Sequence, residues 1–219
     1  MEVVVRFYYD REVQIIKVAG MSSSNNNGYV LICPDTNDAV VIDAPGEYEK
    51  LVDQIPNGAS VKNLLITHGH RDHIASYEQM RVAAGHMAGI HELDEINLSP
   101  LRSDFYLSAG DIIKVGNIDL KVLHTPGHTK GAVCLLAGKH LFSGDTLFPG
   151  GPGYTATPES FNQIIHSITN QLFELPDDTN VYPGHGADSD IGQCKKEYAI
   201  FAGKTRSDDI CGEVQWLNS

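Results

Sequence analysis

The stretch VKNLLITHGHRDHI, residues 61 to 74, sets an apolar run directly before three histidines and an aspartate that fall within six positions. A short apolar run bounded by polar residues reads as a buried strand, here Val61 to Thr67. In α/β folds ligands sit just beyond the carboxyl ends of such strands. His68, His70, Asp72 and His73 occupy that position. Imidazole and carboxylate are ligands for zinc and other first-row metals, so the cluster points to metal chemistry.

The same arrangement recurs later. VLHTPGH brings His128 after a strand, HLFSGD brings Asp145, and VYPGH brings His185. On an extended segment, residues two apart face the same way, so His68 and His70 can share one ion. Asp72 and His73 are expected to start the next helix and point to another. Seven donors with one shared carboxylate divide into two sites, and metals about 3.5 to 4 Å apart are a known device for activating water. The cysteines Cys33, Cys134, Cys194 and Cys211 lack CxxC spacing, which gives neither a disulfide framework nor a thiolate zinc site. They are expected to be packing thiols. His86, His91, His140 and His166 carry no motif and read as ordinary residues, and His124 as a hydrogen-bonded strand residue. Gly127, Gly184 and Gly186 flank donors and are read as giving the backbone room to turn.

The rest of the chain supports an α/β reading. Strands are expected at 3–9, 13–18, 29–33 and 39–42, with MSSSNNNG, residues 21 to 28, as a polar loop. Helical spacing covers 47–55 and 74–84. Gly116-Asn117 joins strands 111–115 and 118–123 as a hairpin. Strands 132–136 and 140–142 follow. Pro158 opens a helix to Phe173 with Phe161, Ile164, Ile165, Ile168 and Leu172 inward, and a strand 179–182 precedes a helix 191–201. At 219 residues the chain fits one domain, 1–219. Its net charge of −12 disfavours broad attraction to nucleic acid or anionic membrane. MEVVVRFYYDREVQ carries charge where a secretory signal needs an apolar centre, and no apolar run is long enough to span a bilayer. The expectation is a cytoplasmic protein acting on a small molecule, its oligomeric state open.

THGHRDH (67 to 73), TPGHTKG (125 to 131), SGDTLF (143 to 148) and YPGHG (182 to 186) together make the chain resemble the metallo-beta-lactamase-fold hydrolases. The resemblance implies a four-layer αββα sandwich with metals along one edge. It implies His68, His70 and His128 as ligands of a first metal, Asp72, His73 and His185 of a second, and Asp145 as the bridge. Within the family the chain is most similar to the glyoxalase II, or hydroxyacylglutathione hydrolase, branch, because Asp145 lies in GDTLF. That branch typically has a helical C-terminal domain and basic residues after this motif. Here a short tail follows His185, and Tyr154 stands where a basic residue is expected.

The reaction so implied is hydrolysis of a thioester or related ester of a small molecule. Two divalent ions, zinc first with iron or manganese as alternatives, lower the pKa of a shared water from about 15.7 to near 7, and the resulting hydroxide attacks the carbonyl carbon. Asp72 is expected both to bind metal and to accept a hydrogen bond from the attacking water. Tyr154 is a candidate substrate contact, and Arg71 and Lys130 are candidate contacts for an anionic group. A second reading is a mono-iron persulfide dioxygenase-like enzyme using His68, His128 and Asp145. A lactonase of the same fold is a third, and a noncatalytic metal-binding module is disfavoured by the complete donor set.

Overall fold

A computed structural model of the chain describes residues 4–84, 87–205, 207 and 209–218. In chain order the elements are β1 (Val4–Tyr9), β2 (Gln14–Met21), β3 (Asn26–Ile32), β4 (Asp38–Ile42), α1 (Glu49–Val52), β5 (Ser60–Leu65), α2 (Tyr77–Ala84) and β6 (Met87–Ile90). A 3-10 turn, Glu92–Leu98, then leads to β7 (Phe105–Tyr106), β8 (Ile112–Val115), β9 (Ile118–His124), β10 (Val133–Ala137) and β11 (His140–Gly144). The chain closes with β12 (Leu147–Phe148), β13 (Gly151–Pro152), α3 (Pro158–Asn170), β14 (Asn180–Pro183), β15 (Ser189–Asp190) and α4 (Ile191–Ala202).

Period-two alternation of apolar residues builds the layers. Ile15, Leu31, Val40 and Leu65 project from one face of the first sheet and meet Leu120, Val122, Leu135 and Phe142 of the second. Their chain neighbours Ile16, Val30, Val41 and Leu64 project from the opposite face, where Leu51 of α1 and Tyr77 and Met80 of α2 cover them. On the outer face of the second sheet, Cys134, Leu141 and Val181 pack under Phe161, Ile164 and Ile168 of α3 and Ile191 and Phe201 of α4. The result is the αββα sandwich. Each fully buried leucine, isoleucine or phenylalanine contributes about 1.5 to 3 kcal/mol by leaving water.

The first sheet runs in the order β1-β2-β3-β4-β5-β6-β7, and the second β15-β14-β11-β10-β9-β8. β4, β5, β6 and β7 pair in parallel. In the second sheet β9 and β11 both run antiparallel to β10, and β14 runs parallel to β11. The carboxyl ends of β9, β11 and β14 therefore emerge on one side, and the loops that carry His128, Asp145 and His185 follow them.

Several elements differ from the sequence expectation. The helix expected over 47–55 contracts to the single turn α1, because Glu47 takes a φ of +64° and Tyr48 provides no side-chain cap. α2 starts at Tyr77, so Asp72 and His73 lie on a turn and not on a helix. The backbone there is tied across to the end of β4: Ala44 N donates to His73 O at 2.9 Å, and Ser76 N to Ala44 O at 2.9 Å. The expected loop 21–28 is half strand, since Met21 and Asn26 to Gly28 belong to β2 and β3 and only residues 22–25 form the turn between them. Phe173 falls beyond α3, in a 3-10 turn. β6, β7, β12 and β13 carried no sequence expectation, and of the strand expected over 3–9, Val3 lies outside the described residues.

Candidate metal centre

The loops leaving β5, β9, β11 and β14 bring all seven expected donors together. His68, His70 and His128 present donor atoms within 4.8 Å of one another, as do His68, His73 and Asp145, and Asp72, His73 and His185. Asp145 lies between the groups. Its Oδ2 is 3.5 Å from His128 Nε2 and 3.5 Å from His185 Nε2, and its Oδ1 is 3.4 Å from His73 Nε2. Ring nitrogens converge closely, with His70 Nδ1 2.8 Å from His128 Nε2 and His73 Nε2 3.2 Å from His185 Nε2. His68 Nε2 and Asp145 Oδ1 are buried without a well-formed hydrogen bond. Buried polar atoms normally find a partner. An imidazole and carboxylate set with two unsatisfied buried donors fits divalent first-row cations.

Three side chains that the sequence reading passed over hold this arrangement. Asp43, just past β4, accepts from Thr67 N at 2.8 Å and from Thr67 Oγ1 at 2.9 Å, and pairs with His73 Nδ1 at 2.9 Å. Its contact with Nδ1 leaves His73 Nε2 facing the centre, the usual way an outer carboxylate orients a ligand. Asp94, buried in the 3-10 turn, accepts from Gly69 N at 2.8 Å, Thr129 Oγ1 at 2.6 Å and Gly131 N at 2.9 Å. One carboxylate thus ties the loop of His68 and His70 to the loop of His128. Asn26 donates to Asp72 Oδ2 at 2.9 Å. Asp43 follows an apolar run, VVID, so the strand-end rule would have found it; Asp94 has no comparable signal.

Backbone carbonyls fix two further rings. His128 Nδ1 donates to Tyr154 O at 2.8 Å, and His185 Nδ1 to Ser24 O at 3.0 Å. Gly184 is required by closeness: a Cβ there would lie 2.2 Å from Asp145 Oδ1.

Charge in the centre is divided. Burial, reinforced by the neighbouring His73 charge, pushes His68 well below the ordinary histidine range, and burial likewise lowers His128. Both therefore present the neutral ring that binds metal. Burial opposes protonation of His185 too, but the carboxylates of Asp145 and Asp72 outweigh it and raise its pKa to about 9. His73 is raised well above the ordinary value, because Asp43 and Asp145 overcome the effect of burial. The hydrogen bond from His185 holds Asp72 far below the carboxylate range. Asp145 is held low by His185 and His73 against strong desolvation.

A cleft of about 530 Å3 opens beside Asp145, lined by His128, Phe148, Pro152, Tyr154, His185 and Glu213 among others. Tyr154, the candidate substrate contact, lines this cleft. Arg71 and Lys130 are exposed and do not line the cleft. His124 Nε2 donates to Lys130 O at 2.9 Å, and its ring stacks on His91 at 4.2 Å. His140 is buried and bonded to Asp10 and Tyr182, His166 is exposed on α3, and His86 lies outside the described residues.

Fold and site together define a class: an αββα sandwich with a histidine and aspartate centre, suited to divalent metals, at one edge. The family profile described as "Metallo-beta-lactamase superfamily" matches residues 25–185. The chain belongs to that superfamily. A hydroxyacylglutathione hydrolase of Polaromonas sp. is 38% identical over 165 residues, covering 73% of this chain and 62% of that protein. The chain therefore spans less than two thirds of that relative's length. The hydroxyacylglutathione hydrolase GloC of Haemophilus influenzae is 32% identical over 196 residues, covering 80% of this chain and 92% of that protein. Among solved structures, ETHE1 from Myxococcus xanthus superimposes with a TM-score of 0.70 at 26% identity, covering 94% of this chain and 87% of that one.

Proposed function

We propose that the protein is a binuclear metal-dependent hydrolase that cleaves a thioester or related ester of a small molecule. His68, His70 and His128 would hold one ion, Asp72, His73 and His185 the other, with Asp145 facing both. The observation that carries this reading is the convergence of three donor groups on Asp145, with His68 Nε2 and Asp145 Oδ1 buried and unsatisfied. The names of the Polaromonas and Haemophilus relatives support a hydrolase of acylated thiols. When bound, such ions acidify water and polarise a carbonyl oxygen.

The protein's own groups do the remainder. Asn26 donates to Oδ2 of Asp72 at 2.9 Å and holds this carboxylate at the centre, where we assign it to accept a hydrogen bond from the attacking water. Tyr154 O fixes the His128 ring, and the cleft beside it receives the substrate. Water oxygen ends on the acyl carbon, the C–S bond breaks, and a carboxylic acid and a thiol leave. Four free cysteines support a cytoplasmic setting, where thiols stay reduced.

The likeness to ETHE1 favours a second reading, a mono-iron persulfide dioxygenase using His68, His128 and Asp145. Metal analysis of protein purified without added metal, paired with thioester, lactone and β-lactam substrates, separates the two. The hydrolase reading expects two metal equivalents, preferably zinc, and thioester turnover that an Asp145→Ala protein loses together with its metal. One iron equivalent with oxygen uptake on adding a persulfide would replace it with the second reading.

A further inference from the structure

The cleft beside the metal centre has a wall that the C-terminal segment supplies. Thr155 and Gly212 form an antiparallel bridge, with N–O distances of 3.1 and 2.7 Å. Trp216 N donates to Gly150 O at 2.7 Å, and the Trp216 side chain is fully buried in the core under α3 and α4. These anchors fix the backbone that carries Glu213 and Gln215 onto the cleft shared with Phe148 and Tyr154.

Outside the metal centre, which contributes His128, Asp145 and His185, charge on this lining is one-sided. Asp145 and Glu213 are its only carboxylates, and no lysine or arginine lines it among the described residues. Asp145 belongs to the metal centre. Glu213 is exposed, and its side chain makes neither an ion pair nor a hydrogen bond among the described residues. Lys17 reaches the cleft-lining Gly186 only through its carbonyl, at 2.8 Å, and is itself buried and paired with Asp188 at 2.6 Å. An unpaired carboxylate on the same cleft as the aromatic side chains of Phe148 and Tyr154 favours an organic cation. An anionic group held against Glu213, away from the metal centre, meets like charge with no lysine or arginine on the lining to offset it among the described residues.

Resting on the hydrolase reading, we infer that the substrate carries a cationic group away from its scissile carbonyl, held by Glu213 with Phe148 and Tyr154, in preference to an anionic thiol. A glutathione moiety, with two carboxylates and one ammonium, is then a poor match for this part of the cleft.

The test uses the metal-loaded full chain and three acetyl thioesters: acetylthiocholine, S-acetyl-N-acetylcysteamine and S-acetylglutathione. The expected order of kcat/KM is cationic, then neutral, then anionic. In Glu213→Gln the ratio between the cationic and anionic esters should fall by about fivefold, the size of one partly exposed charge contact. Equal rates, a preference for the glutathione ester, or an unchanged ratio in the variant would overturn the inference while leaving the hydrolase reading in place. Calorimetric titration with the non-hydrolysable S-methylthiocholine and S-methylglutathione decides the matter without turnover. Tighter binding of the thiocholine ether, weakened in Glu213→Gln, supports the inference, and tighter binding of the glutathione ether refutes it. Thiocholine ether binding without cleavage of any thioester would instead count against the hydrolase reading.

Discussion

Asp94 shows how one buried carboxylate governs groups distant in sequence. It accepts from Gly69, Thr129 and Gly131, so it sets the spacing between the loop of His68 and His70 and the loop of His128. Asp94→Asn turns one acceptor into a donor facing these donors. The expected result is a 10- to 100-fold loss of metal affinity, by analogy with other outer-sphere partners of ligands, with an unchanged far-ultraviolet circular dichroism spectrum. Chelator competition measures it; unchanged affinity would reduce Asp94 to a loop tie. Asp10 makes a different link, accepting from Glu12 N and Val13 N at 2.7 and 2.8 Å and bonding His140 Nε2 at 2.7 Å. Burial pushes its pKa up, but the His140 bond and these amides outweigh that and bring it below the ordinary value. A depressed carboxyl stabilises the fold above its unfolded pKa of about 3.9 and loses that contribution as pH falls through the folded value. Asp10→Asn should therefore be less stable than the parent at pH 6, with the gap narrowing below pH 4 in urea titrations. A gap independent of pH would show that the amides alone matter.

At the scale of elements, local signals agreed with tertiary packing in some places and lost to it in others. α3 combines a capping Thr157, whose Oγ1 accepts from Ser160 N at 3.2 Å, with a proline at its first turn and Phe161, Ile164 and Ile168 on its buried face. Thr157→Ala should lower stability by about 1 kcal/mol, read as a shift of the urea midpoint at constant slope. The β8-β9 hairpin was equally legible, because Gly116 adopts a φ of +56° that its turn requires. α1 and the start of α2 were not. Their apolar spacing is helical, but the backbone amides around His73 bond across to β4, and no pattern within the segment reports a partner 30 residues away. The stretch 21–28 misled for a related reason. Asn26 and Asn27 look like loop residues, yet both are buried and bonded to Asp72, Pro183 and Gly186.

For the whole molecule, the two sheets and their helices form three apolar clusters that do not depend on a metal, whereas the edge of the sandwich gathers ionisable groups that do. Chelating the metal should leave the circular dichroism spectrum intact and lower Tm by about 5 to 10 °C, since a ligand that binds only the native state stabilises by mass action. Loss of secondary structure on chelation would make the metal a folding element instead. The seven candidate donors were legible in the sequence as strand-end motifs and individual strands as apolar runs, because these are local patterns that survive in one dimension, whereas the layered architecture was implied through the family resemblance those motifs carry. Asp94 as a tie, the pairing of His73 with Asp43 and the placement of Glu213 on a cleft with no lysine or arginine in its lining among the described residues were decided only by the tertiary structure. Each depends on which side chains meet across loops far apart in the chain, and a distance in space leaves no periodic trace in a string of residues.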